Sequence, residues 1–406
     1  MLVILVSSCF HHFNIKMLKF TISNPTKVRL LYAVSFLDLF ACSMVIPLLS
    51  PHLRSLGASH FTIGCLSSLY AGLQLVSGPV IALCRTLLAD LVPAKDQLAT
   101  QSRLVSFAAV GFIIGPAIGG HLAEVEGGFF YICFTVMLFF WLNYAIVCLF
   151  FCEPSTSDKG TQTVNPKPQN ARRPIQRFSS FEKTNIRNHL SVINSSTKKV
   201  YTDASQVVKN LSHVDWSVYW DVFALKFLLA FGLAVHFQNF SLMLKDKYDV
   251  SPKWIGYAIS LQGLVSATTG FTTNWVSSFY SHDKSNLLRT LHGFLALTGA
   301  FILLSIAPSL IYVLLFLIPL SAAGSVLRIT TSEIILQRTE PHQRGSLIGS
   351  GESISSTARL LAPLCSGIAY DNFGFHGISV LKIVPAASGI VLANFLFVQQ
   401  QKEKTA

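Results

Sequence analysis

Apolar runs of about 20 residues recur along most of this chain, and each is long enough to cross the hydrocarbon core of a bilayer. That feature constrains the fold more than any other. Inside hydrocarbon every backbone N–H and C=O must find a partner within the protein, so only helices and closed barrels can span. The stretch GFFYICFTVMLFFWLNYAIVCLFF (128–151) holds no charged residue at all. A barrel would show short alternating segments; these runs are continuous. The expected fold class is an all-α polytopic membrane protein. Composition agrees: 51% of residues are hydrophobic and 12% charged, the latter about half the share of a soluble domain, with a mean hydropathy of +0.52.

Ten spans are predicted, at 30–50, 60–84, 102–122, 129–151, 218–239, 254–279, 287–307, 309–330, 346–369 and 377–398. They divide the chain into an N-terminal segment (1–28), a four-span block (29–151), a polar linker (152–215), a six-span block (216–398) and a tail (399–406). The linker carries ten Lys/Arg against five acids. By the positive-inside rule it lies in the cytoplasm, with both termini. The net charge of +12 belongs to these loops and points to the membrane rather than to nucleic acid. The eight cysteines form no CxxC pair, so they read as small core residues. The start, MLVILVSSCF, lacks a basic stretch before its apolar run and is a poor signal peptide. Asn194 and Asn210 stand in glycosylation sequons on the cytoplasmic side; Asn239 stands in one on the other side. RRPIQRFSS (172–180) reads as a solvated basic loop, with a kinase substrate as the alternative.

An internal echo links the two blocks. Arg85, Asp90, Pro93, Pro116 and Gly119 follow one another much as Arg328, Glu333, Pro341, Pro363 and Gly367 do. Each set is a helix end, a charged loop and a helix rich in small residues, the pattern of a transporter built from two related halves. Residues 111–120, GFIIGPAIGG, carry Gly111, Gly115, Pro116, Gly119 and Gly120. They resemble the fifth-helix GxxxGPxxGG pattern of drug:proton antiporters in the major facilitator superfamily. LDLFACSMVIPLL (37–49), with Asp38 and Pro47, resembles the first-helix motif of tetracycline-efflux-like members. The resemblance implies two helical bundles that rock about a midplane site, with a small-molecule solute and protons as partners, the lipid bilayer around them, and no cofactor or metal.

That family has six spans in each half; this chain has four and then six. The stretch SGPVIALCRTLLADLVP (77–93) runs from Gly78-Pro79-Val80 directly into Ile81, where the family carries a charged loop. The resemblance therefore implies that the third helix and most of the fourth are missing at this seam; the alternative is a divergent ten-span protein.

Ionisable groups inside spans cost about 2.5–3.5 kcal/mol each on insertion scales and need partners or a wet cavity. Asp38 is a proton or cation site, or a packing acid. Glu352 and Arg359 share a helical face and either flank a polar path or form a structural pair with a neighbouring helix. Gln262 and His292 are weaker cavity candidates. Lys226, five residues past Asp221, is expected to snorkel to the interface. Arg328, Glu333 and Arg344 resemble the family's cytoplasmic latch. There is no GxxxxGK[ST], HExxH or GxSxG, so an enzyme is not expected. Two functional readings remain at this stage: a secondary transporter, and a transport-deficient isoform acting as a regulatory or inert membrane protein.

Overall fold

The computed structural model describes residues 24–72, 97–151, 216–283, 285–339 and 344–405. The Val80–Ile81 seam, Arg85, Asp90 and the linker lie outside the described residues. Among those described the protein is helical throughout: α1 (Asn24–Ser55), α2 (60–72), α3 (Gln97–Ala123), α4 (Gly128–Phe151), α5 (Trp216–Tyr248), α6 (Pro252–Phe279), α7 (Leu287–Ile306), α8 (Leu310–Arg338) and α9 (Arg344–Thr405). Helix α9 is two helices joined at Gly374, whose backbone (φ 58°, ψ −145°) leaves the helical region. Glycine is needed there because an added Cβ is disfavoured at positive φ. The arms fold back so closely that Gly377 lies against the Ala369 carbonyl.

Among the described residues seven helical stretches are long and apolar enough to cross a bilayer: α1, α3, α4, α5, α7, α8 and the double α9. Two predicted crossings are not among them. The one at 60–84 is described only to residue 72. The other, α6, is diluted by Thr268, Thr269, Thr272 and Thr273. Each of these hydroxyls donates to a carbonyl four residues back, at 2.8–3.1 Å, so its polarity is spent inside the helix.

The helices alternate in direction. At one end, the short-loop end, Tyr248 Oη donates to Ala307 O (2.6 Å), tying the end of α5 to the end of α7. At the other, the terminal end, Arg289 at the start of α7 donates to Ser277 at the end of α6 (2.6 Å), and Ser285 donates to Gln400 (2.7 Å). The largest core runs through both blocks, from Phe40, Met44 and Ile132 to Leu225, Phe294, Phe301 and Leu317.

Packing is tightest along α3. Gly111, Gly115 and Gly119 recur at i, i+4 and i+8, which places them on one face. That face lies on the α1 backbone: a Cβ on each would fall 2.6 Å from Phe36 O, 2.7 Å from Phe40 O and 2.5 Å from Met44 O. The opposite edge meets the other block. A Cβ on Gly120 would lie 2.6 Å from Pro252 O, and one on Gly256 of α6 would strike Pro116 O. All five motif residues are buried. Small residues let backbones approach where lipid offers no hydrophobic drive between helices.

Candidate functional site

Polar contacts between the blocks gather toward the short-loop end. Ser68 Oγ donates to Leu360 O (2.8 Å), Gln238 Nε2 to Ser67 Oγ (2.6 Å), Ser251 Oγ to Glu124 Oε1 (2.6 Å), and Phe61 N to Asp371 Oδ2 (3.2 Å). Glycines again bring the backbones together, since a Cβ on Gly64 would sit 2.5 Å from Pro363 O. His60 is buried in this seam, 3.8 Å from both Asp246 and Asp371, its ring stacked on Tyr370 with centroids 3.4 Å apart.

Asp38 lies in α1 and is exposed. Among the described residues it has no ion pair and no hydrogen bond, so the packing-acid arrangement is not seen within that set. Glu352 has two cationic neighbours: Lys226 Nζ of α5 at 2.9 Å and Arg359 at 3.8 Å. Arg328 of α8 faces the same group. Lys226 thus departs from the expected snorkelling. Its side chain is 7% exposed, because a carboxylate on the neighbouring helix offers a better partner than the distant interface. The structure therefore assembles Lys226, Arg328, Glu352 and Arg359 from three helices, with one acid among three cations. Gln262 is buried in α6, and both its amide atoms lack hydrogen-bond partners; His236 of α5 is its neighbour. His292 is exposed and shares a hydrogen bond with Tyr280 (3.1 Å).

Among the described residues, the expected latch members Arg328 and Glu333 have other partners. Glu333 pairs with Arg289 of α7, while Arg328 donates to Ser325 (3.4 Å); the Arg344 side chain lies outside the described set. A different clasp closes the terminal end of the six-helix block. Arg338 Nη1 donates to both carboxylate oxygens of Asp221 at 2.8 Å, and Asp221 also accepts from Val222 N (2.8 Å). Sequence reading missed Arg289 and this clasp. Their signal is weak, since each is a lone charge at a helix end whose partner is far along the chain. Among the described residues no group of three His, Cys, Asp or Glu side chains could hold a metal ion.

Residues 75–326 and 222–406 match the family profile described as Major Facilitator Superfamily. No curated protein matches the chain in sequence. Solved structures are similar in fold. A bacterial homologue of the human lysosomal transporter Spinster, in an inward-facing and unoccupied conformation, superposes with a TM-score of 0.60 at 12% identity, over 94% of this chain and 96% of that one. A POT family transporter in complex with a thioalcohol-conjugated peptide gives 0.60 at 13%, over 93% and 96%. The human organic anion transporter MFSD10 (TETRAN) gives 0.57 at 15%, over 92% and 100%.

Proposed function

The chain belongs to the major facilitator superfamily, and on that premise we propose that it moves a small solute across a membrane by alternating access, with protons as the coupling ion. It is a transporter rather than an enzyme. At the finer level it resembles, over residues 29–398, the vertebrate orphan carrier major facilitator superfamily domain-containing protein 9, with the third helix and most of the fourth missing.

The observation that carries the reading is the seam. Two helical blocks meet through hydrogen bonds and bare glycine backbones gathered toward one end, which is what one limit of a rocking cycle requires. We place both termini and the linker in the cytoplasm by the positive-inside rule, so the closed end is the outer one. The inward-facing Spinster homologue supports that assignment. Asp38 is the proton acceptor: protonation removes its charge and shifts the balance between states through its different environment in each. Around Glu352, three cations face one carboxylate, which favours a solute carrying negative charge.

The test is uptake of radiolabelled organic acids into proteoliposomes under an imposed pH gradient. Asp38→Asn should abolish pH-driven accumulation while leaving reconstitution intact; unchanged accumulation refutes the role. If the unaltered chain accumulates nothing, the transport-deficient reading replaces this one.

A further inference from the structure

Within the six-helix block, away from the seam glycines and the Glu352 cluster, lies a cavity of about 240 Å³ bounded by α5, α7 and α9. Two buried polar side chains line it. Lys382 interrupts the apolar run ISVLKIVPAASGI (378–390) and is 3% exposed. Its ammonium lies 5.7 Å from the centroid of the Phe301 ring. Among the described residues it has no hydrogen-bond acceptor and no carboxylate partner. His236 is also 3% exposed; its Nε2 makes no hydrogen bond although the Gln262 amide of α6 lies beside it, and its ring packs on Phe240 and Phe301. A third basic group, Lys247, is exposed on the same wall. Among the described residues it donates to the carbonyls of Ser305 (3.4 Å) and Ala307 (3.2 Å) and lies 5.0 Å from the centroid of the Tyr248 ring, with no carboxylate partner. Asp246, beside the lining residue Tyr370, lies 3.8 Å from His60 in the seam.

The energetics of this arrangement point one way. A buried ammonium without a counter-charge is costly, and a ring face offsets only part of that cost. A second cation on the same wall adds repulsion, and a buried imidazole nitrogen with no partner adds a further unsatisfied group. One bound anion would relieve all three. We propose that this cavity binds a small organic anion. Its carboxylate or phosphate would lie between Lys382 and Lys247 and accept a hydrogen bond from His236. Its apolar part would lie against Phe240, Leu242 and Leu304. Both soluble carboxylates and anionic lipid headgroups present this chemistry.

The probe is benzoate, with neutral benzamide as its isostere, added to the full chain in detergent and followed by calorimetric titration and thermal unfolding. Benzoate should bind and raise Tm, and benzamide should do neither. Lys382→Met should weaken benzoate binding roughly 10- to 100-fold, the effect of losing a charged hydrogen bond. Without benzoate this variant should be at least as stable as the unaltered chain, because a buried charge has been removed; Lys382→Arg should keep binding and guard against a folding artefact. Nanodiscs of phosphatidylcholine, with and without phosphatidylglycerol, separate the sources. Competition by phosphatidylglycerol assigns the site to a lipid headgroup, and its absence assigns the site to a soluble anion. Equal effects of benzoate and benzamide would overturn the proposal. So would unchanged binding in Lys382→Met, or binding lost in Arg359→Gln but kept in Lys382→Met, which would move the anion to the Glu352 cluster.

Discussion

Gly120 offers a direct test of whether the α3–α6 seam opens. A Cβ at this position would stand 2.6 Å from Pro252 O and 3.0 Å from Lys253 Cα. Both atoms are backbone, so no rotamer change can relieve the contact. Ordinary contact begins near 3.4 Å, so Gly120→Ala requires the two blocks to part locally by about 0.8 Å. Overpacking of this size costs about 1–3 kcal/mol. If the seam separates during a cycle, that cost falls on the closed state alone, and the equilibrium shifts toward the open state by about 5- to 150-fold. Gly115→Ala is the control. Its Cβ would lie 2.7 Å from Phe40 O, inside one block, so both states bear the cost and only stability falls. Spin labels at Leu56→Cys and Phe373→Cys in a cysteine-free background would report the short-loop end, where both side chains are exposed (71% and 72%). Gly120→Ala should populate longer distances, and Gly115→Ala should lower Tm with the distances unchanged. Identical distance distributions in all three proteins, with equal losses of Tm, would refute a seam that opens.

Two further outcomes follow from the ion pairs. Asp221 is 8% exposed and Arg338 30%. Removing the arginine (Arg338→Met) strands a buried carboxylate and should cost about 3–5 kcal/mol. Asp221→Asn leaves a guanidinium that can reach water, and should cost clearly less; equal losses in chemical denaturation would argue against the clasp. Asp249 lies on the short-loop surface, where its hydrogen bond with Lys245 and that lysine's charge hold its pKa below the usual 3.8. A depressed folded pKa means that the stabilisation is present above pH 3.8 and is lost as pH falls through the folded value. The Tm gap between the unaltered chain and Asp249→Asn should therefore close on acidification from pH ~6 to pH ~3.

The parts of this fold that were legible in the sequence are those written locally. Continuous apolar runs marked the helices because the bilayer imposes their length, and the spacing of Gly111, Gly115 and Gly119 marked a helix–helix face. The same spacing also contained Gly120 and Pro116, but their service to a different neighbour needed the structure, since position within a turn says nothing about which helix lies opposite. Charge pairing was the least legible. Glu333 was legible only as a member of a latch with Arg328 and Arg344, yet it meets Arg289, 44 residues earlier. Lys226 looked like a snorkelling lysine because its partner, Glu352, is 126 residues away. Lys382 carried a readable signal, a lone cation in an apolar run, whereas the cavity beside it depends on three helices meeting.

The uneven burial of the helices bears on how the protein is made. Over their apolar windows α5 and α7 are 56% buried and α8 44%, while α1 and α3 reach 28%, α9 22% and α4 only 17%. Translation delivers α1, α3 and α4 to the bilayer first, and the well-buried α5 and α7 later. During that interval the Gly120 edge of α3 has no α6 to rest on, so the early helices wait in lipid with a bare backbone edge unmatched. Biogenesis then becomes a race between synthesis of the later block and capture of that edge by other membrane helices, and slowing translation past the linker should increase clearance of the nascent chain by membrane quality control.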